Sequence, residues 1–210
     1  MVYNLAKKIL NSLWLLHRPI VLKNLNIKNS HSGETCLIFG NGGSLKYFDF
    51  SVLPDLNSIC TAYSLSDKRM EKVNVKYMVS PDSYNKSPFE INNGKLTKNY
   101  RLPIAKKMAI ANPSISLVHS LTNFYFSFPK MKNTIYFHHF GKINNVSSDL
   151  AGNFSTCAGS LDIMLGLAKY LGFSKAILLG CDYLGSPKLE GHFYSDSIPY
   201  YGTYDPQYVA

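Results

Sequence analysis

His192 and Tyr194 lie two residues apart in Gly191-His192-Phe193-Tyr194, ten residues past Asp182. A neutral imidazole can take the proton of an attacking hydroxyl near pH 7, and a nearby phenol can donate to an oxygen of a departing phosphate. His192 therefore reads as a general base and Tyr194 as a phosphate donor. What lifts His192 above an ordinary loop histidine is the aspartate upstream, which closes an apolar strand-like run. The carboxyl ends of such strands are where ligands sit in open α/β sheets. The pair His138-His139 has no third ligand at metal-binding spacing and reads as structural, so no metal site is expected.

A second group stands where an apolar run breaks into Gly40-Asn41-Gly42-Gly43-Ser44. A strand–glycine–helix turn aims backbone N–H groups and a helix N-terminus outward, and both attract phosphate oxygens. Ser44 is expected as the N-cap of the helix that follows. The common phosphate-binding patterns do not fit. No Gly-Lys-Ser/Thr triplet follows Gly40, Leu45 stands where a dinucleotide fingerprint needs its third glycine, and no acid closes the second strand. Asn41 is the unusual member, able to hold the turn or to meet a ligand through its amide. A third group, Thr156, Gly159 and Ser160, opens the strongest helix of the chain and is another possible anion site. There Ser160 is expected to act as the N-cap.

These groups need elements to carry them. Strands are predicted at Thr35–Phe39, 58–62, 76–80, 107–111, Thr134–Phe137 and Lys175–Leu179. Several are unbroken apolar runs, the pattern of parallel strands covered on both faces. The helix Ser160–Leu171 carries Leu161, Met164, Leu165, Ala168 and Leu171 in register, with Gly172 just past its end. The alternation predicts an α/β, doubly wound, mostly parallel sheet with helices on both faces, a Rossmann-like nucleotide-binding domain. Residues 1–30 read as an amphipathic helix and a linker (residues 19–33 in the finer reading), and residues 31–210 as the domain, with a further C-terminal segment expected beyond. Residues 83–103 read as a polar excursion, and residues 121–129 as an aromatic stretch.

The 210 residues carry a net charge of +9, and nineteen of the 22 basic residues are lysine. Such a surface suits an anionic partner, and no basic–aromatic motif marks nucleic acid. Cys36, Cys60, Cys157 and Cys181 form no paired motif and read as small buried hydrophobes in a reducing compartment. Near the N-terminus Leu5, Ile9, Leu13 and Leu16 share one helical face. That face would pack on the domain or lie on an anionic membrane, and the run is too short to span one.

"IFGNGGSLKYFDFSVLP" and "GSLDIMLGLAKYLGFSKAILLGCDYL", with the "GHFY" that follows, resemble blocks of the bacterial CMP-sialic-acid-dependent sialyltransferases. They also resemble the related motility-accessory-factor and pterin-pyrophosphokinase-like proteins. The blocks cover about 45 residues. The resemblance implies that Gly40, Asn41, Gly42, Gly43 and Ser44 bind the nucleotide. It further implies that Thr61 and Ser80 or Asp82 take polar donor contacts, that Gly159 and Ser160 meet the donor sugar or phosphate, and that Asp182 meets the nucleotide. The implied activity is a metal-independent glycosyl transfer from a CMP-linked, sialic-acid-like donor, with no cofactor besides that co-substrate. The acceptor would be a glycan or glycolipid, in the cytoplasm or at the inner face of the membrane. Two alternatives stand beside it: a Mg²⁺-dependent diphosphotransferase, with Asp82, Asp182 and Asp196 as candidate ligands, and a non-catalytic nucleotide-binding protein.

Overall fold

The computed structural model describes residues 16–80, 89–92, 95–98, 107–121, 133–138, 146–155 and 159–184. Ten strands are seen among them: β1 Thr35–Phe39, β2 Ser58–Thr61, β3 Val75–Val79, β4 Phe89–Asn92, β5 Lys95–Lys98, β6 Ser116–Ser120, β7 Thr134–Phe137, β8 Ser147–Ser148, β9 Phe154–Ser155 and β10 Lys175–Leu179. Six form one parallel sheet in the order β10-β1-β2-β3-β6-β7, while β4–β5 and β8–β9 are separate antiparallel pairs. The fold is α/β and Rossmann-like, as the sequence predicts.

The order has a physical consequence. From β1 the chain steps through β2, β3, β6 and β7 in one direction, then returns across the sheet to lay β10 on the other side of β1. Right-handed crossovers put connections that move in opposite directions on opposite faces. The core divides accordingly. Cys36, Ile38, Ile59, Val79 and Val118 pack on the face covered by α1 (Ser160–Leu171). Leu37, Phe39, Cys60, Met78 and Leu117 pack on the other face with Leu45, Phe50 and Met70, which lie in short 3₁₀ segments, and with Ala109. One side chain in two therefore faces each layer, as the strand period requires.

α1 ends as predicted, with Gly172 in the left-handed region at φ 88°. Its start differs from expectation. The N-cap is Gly159, whose amide donates to the Asp162 carboxylate at 3.1 Å, and Ser160 is the first helical residue. A carboxylate in the first turn also complements the helix dipole. Leu165, placed on the apolar stripe by the sequence pattern, is exposed, while Ile163, Leu167 and Tyr170 are buried.

Other expectations are corrected. Residues 107–111 are helical, and the strand of that region is β6, which was not predicted. β2 ends one residue short of its predicted span, and β3 is offset by one residue from its own. Among the described strands β10 lies at the edge of the sheet, and Lys175, Ala176 and Leu178 are exposed, so it is not buried on both faces. Residues 19–33 are no linker. They continue a helical stretch at residues 16–22 into a 3₁₀ turn, Lys23–Ile27, and Val21 is fully buried. The amides of Asn29 and His31 donate to the carbonyls of Tyr170 and Leu171, which fastens this segment to the end of α1. Of the predicted amphipathic face only Leu16 falls within the described residues, and it is 73% exposed. Among the described residues no helix is long and apolar enough to cross a membrane.

Candidate functional site

The reversal of strand order lies between β1 and β10, so the crevice past their carboxyl ends is the ligand position expected of this architecture. Both strands run into glycine there, Gly40 after β1 and Gly180 after β10. The two loops are stitched together. Gly40 N–H donates to Leu179 O and Gly42 N–H to Gly180 O, each at 2.8 Å. A β-carbon at Gly40 would overlap the Gly180 carbonyl. Gly180 has φ 63°, and a β-carbon there would run into the Leu45 side chain. The glycines at 40 and 180 thus let two backbones approach, and Gly180 also supplies a conformation other residues resist.

Asp182 reaches from the second loop into the first. Its Oδ2 accepts the Ser44 N–H at 2.9 Å, and its Oδ1 accepts the Ser44 hydroxyl in a short hydrogen bond. The carboxylate lies so close to Gly42 that a β-carbon there would overlap it. Ser44 is therefore no N-cap. It is the second residue of a five-residue 3₁₀ turn, Gly43–Tyr47, with Gly42 in the cap position. Much of the expected outward fan of amides is turned inward. The N–H groups of Gly40, Gly42, Ser44 and Leu45 all donate within the chain. The anion that the loop attracts is the protein's own.

Asn41 lies on the other side of Gly42. Its Oδ1 accepts from the Thr61 hydroxyl at 3.0 Å and from the Ser64 hydroxyl at 3.1 Å. Thr61 and Ser64 are buried and bonded to each other at 2.9 Å. Two buried hydroxyls thus fix the amide with its oxygen inward. Its NH₂ has no acceptor among the described residues and is left to point away from them. Asn41, Ser44 and Asp182 are each partly accessible. Burial, with the Asp182 charge adding to it, pushes the thiol of Cys181, between Gly180 and Asp182, up from the usual range and away from the reactive thiolate.

Of the predicted donor-binding residues, the fold thus brings Gly40, Asn41, Gly42, Gly43, Ser44, Thr61 and Asp182 together at one crevice. Ser80 follows β3 on the same edge of the sheet, is buried, and donates its amide to Val118 O at 3.0 Å. Gly159 and Ser160 also sit at this edge. α1 ends against residues 29–33 at the amino side of the sheet, and its 12 residues rise about 18 Å to the carboxyl side. No hydrogen bond among the described residues joins them to the loop of residues 40–44. Asp82, His192 and Tyr194 lie outside the described residues, as do Asp196 and His139.

Ser64 and Gly180 belong to the site but were not singled out from the sequence. Gly180 had a visible signal, since "FGNG" and "LGCD" each end an apolar run in glycine. Ser64 had none, being one serine in a short turn. The described residues hold no cluster of three or more His, Cys, Asp or Glu side chains suited to a metal. Cys36 and Cys60 are fully buried, and burial pushes the Cys36 thiol up to about 11.

No protein-family model matches the chain, and neither a curated protein nor a solved structure matches it.

Proposed function

We propose that the protein is a glycosyltransferase that holds a sugar nucleotide, CMP-linked with a sialic-acid-like sugar, in the crevice between the ends of β1 and β10. The observation that carries this reading is the convergence of Asn41, Ser44, Thr61 and Asp182 at the point where strand order reverses. Nucleotides bind at that point in open parallel sheets. The two sequence blocks that resemble the sialyltransferase-like proteins supply the loops that meet there.

In this reading the acceptor hydroxyl attacks the anomeric carbon, and His192 takes its proton. The bond from that carbon to the phosphate oxygen breaks, and CMP leaves with the electron pair, met by a hydrogen bond from Tyr194. A net charge of +9 favours an anionic donor and an acceptor at an anionic surface. The acceptor is then a glycan or glycolipid of a surface polysaccharide or glycoconjugate, handled in the cytoplasm or at the membrane's inner face.

The test is thermal shift with CMP, CTP and ATP, with and without Mg²⁺, followed by CMP release from CMP-sialic acid. Stabilisation by CMP without metal, and CMP release lost in His192→Ala, are expected. Stabilisation by ATP only with Mg²⁺ would point to the diphosphotransferase instead, and no shift with any nucleotide would remove the reading.

A further inference from the structure

The geometry points to a nucleoside, read through its ribose hydroxyls, as the part of the ligand that meets residues 40–44. The Ser44 corner of that loop, beside the Asp182 carboxylate, disfavours a phosphate. The inference rests on the nucleotide-binding reading above and says which part of the ligand the crevice holds.

Three observations lead there. The Ser44 N–H and hydroxyl, the donors a phosphate would need, are both taken by Asp182. The amides of Gly40 and Gly42 are spent on Leu179 O and Gly180 O. A phosphate entering beside Ser44 would find a carboxylate of like charge already in place and both Ser44 donors spent.

What the crevice offers is of the opposite kind. An ionised carboxylate has about four acceptor positions on its two oxygens. Ser44 uses one on each oxygen, which leaves one on each for two outside donors. A vicinal diol places two O–H groups at the spacing that such a carboxylate accepts, and an acid performs this task on ribose in dinucleotide-binding sheets. Here the acid comes from the loop after β10, and the second strand ends in Thr61. On the other side of Gly42 the Asn41 NH₂, aimed outward by Thr61 and Ser64, supplies a donor for a ring oxygen or a base carbonyl. One acceptor pair and one donor suit an uncharged, hydroxyl-bearing ring. The phosphate of a bound nucleotide then lies beyond this loop.

The experiment is isothermal titration of the full chain with cytidine, 2′,3′-dideoxycytidine, CMP and inorganic pyrophosphate. Cytidine is expected to bind alone, and loss of the two hydroxyls to weaken it about tenfold or more. Pyrophosphate should not displace it. Asp182→Asn, which turns one acceptor into a donor, should weaken cytidine by a similar factor. Asn41→Asp should do the same with the Ser44–Asp182 contact intact, and circular dichroism would establish that both variants are folded. Equal affinity for cytidine and its dideoxy form, or displacement by pyrophosphate, overturns the inference while nucleotide binding stands. Binding of none of the nucleosides or nucleotides would instead overturn the nucleotide reading and this inference with it.

Discussion

The carboxylate of Asp182 occupies the space that a β-carbon on residue 42 would need, so Gly42 and Asp182 form one interlocked contact. Two loops separated by 138 residues in sequence are thereby held at one crevice. Gly42→Ala should force the carboxylate out and break both of its bonds to Ser44. Overpacking of this sort typically costs about 1–3 kcal/mol, to be read from a lowered urea midpoint. The double variant Gly42→Ala/Asp182→Ala removes the obstacle, so its stability should be far from the sum of the single effects. Additivity would mean that the two residues do not meet.

Arg69 secures the same loop from behind. Its guanidinium donates to Leu45 O at 2.9 Å and Lys46 O at 3.2 Å, pairs with Asp67 at 2.7 Å, and lies 4.7 Å from the centre of the Phe50 ring. The 3₁₀ turn Gly43–Tyr47 presents carbonyls at its end, and a planar fork can reach two of them while holding a carboxylate. Arg69→Lys keeps the charge and loses the fork. It should lower stability by about 1 kcal/mol and weaken any ligand of the crevice by loosening residues 43–47. A variant with unchanged amide exchange across those residues would show that Arg69 does not hold the turn.

Asn24 performs a comparable task at the other end of the molecule. Its buried side-chain amide nitrogen donates to the carbonyls of Tyr136 and Leu150, both at 2.7 Å, and its main-chain carbonyl accepts from the Tyr170 hydroxyl. One side chain ties the N-terminal segment to β7 and to the loop before β9. Asn24→Leu leaves two buried carbonyls without these donors, at a cost of about 2–3 kcal/mol. The measurement is the denaturant midpoint at constant m-value, and a change under about 0.5 kcal/mol would exclude the tie.

These ties also show where the sequence was legible. β1, β7, β10 and the span of α1 could be read because each is a continuous or helically periodic apolar run with turn residues at its ends. β6 escaped because "SLVHS" ends in His119 and Ser120, polar residues that the carboxyl rim of the sheet buries. Residues 107–111 carry a short apolar run of the kind that periodicity cannot assign to strand or helix. The β4–β5 hairpin did have its signal, Asn93-Gly94 between two short runs. Gly40, Asn41 and Ser44 could be picked out locally. That Ser44 spends its donors on Asp182 could not, because nothing near Ser44 in the sequence encodes a partner so distant.

His119 gives the chain an acid-sensitive element. It lies on β6 with no exposed surface, and burial pushes its imidazole down to about 4, against a hydrogen bond to the Ser80 backbone that favours the charged ring. An imidazole in the unfolded chain titrates near 6.5. Above that value both states hold the ring neutral, and His119 adds no pH dependence. Below it the unfolded chain takes up a proton that the folded ring refuses. Stability should therefore fall as pH drops from about 6.5 and level off below about 4, for a total loss near 3 kcal/mol. Asp67 acts in a lower window. Hydrogen bonding from Arg69 holds its carboxyl below the usual range, so its contribution is complete above about 4 and is lost only as pH falls through its folded value. Urea titrations at half-unit pH steps separate the two. His119→Gln should flatten the slope between pH 6.5 and 4 and leave the more acidic fall in place. A slope that survives the substitution would assign the upper window to another group.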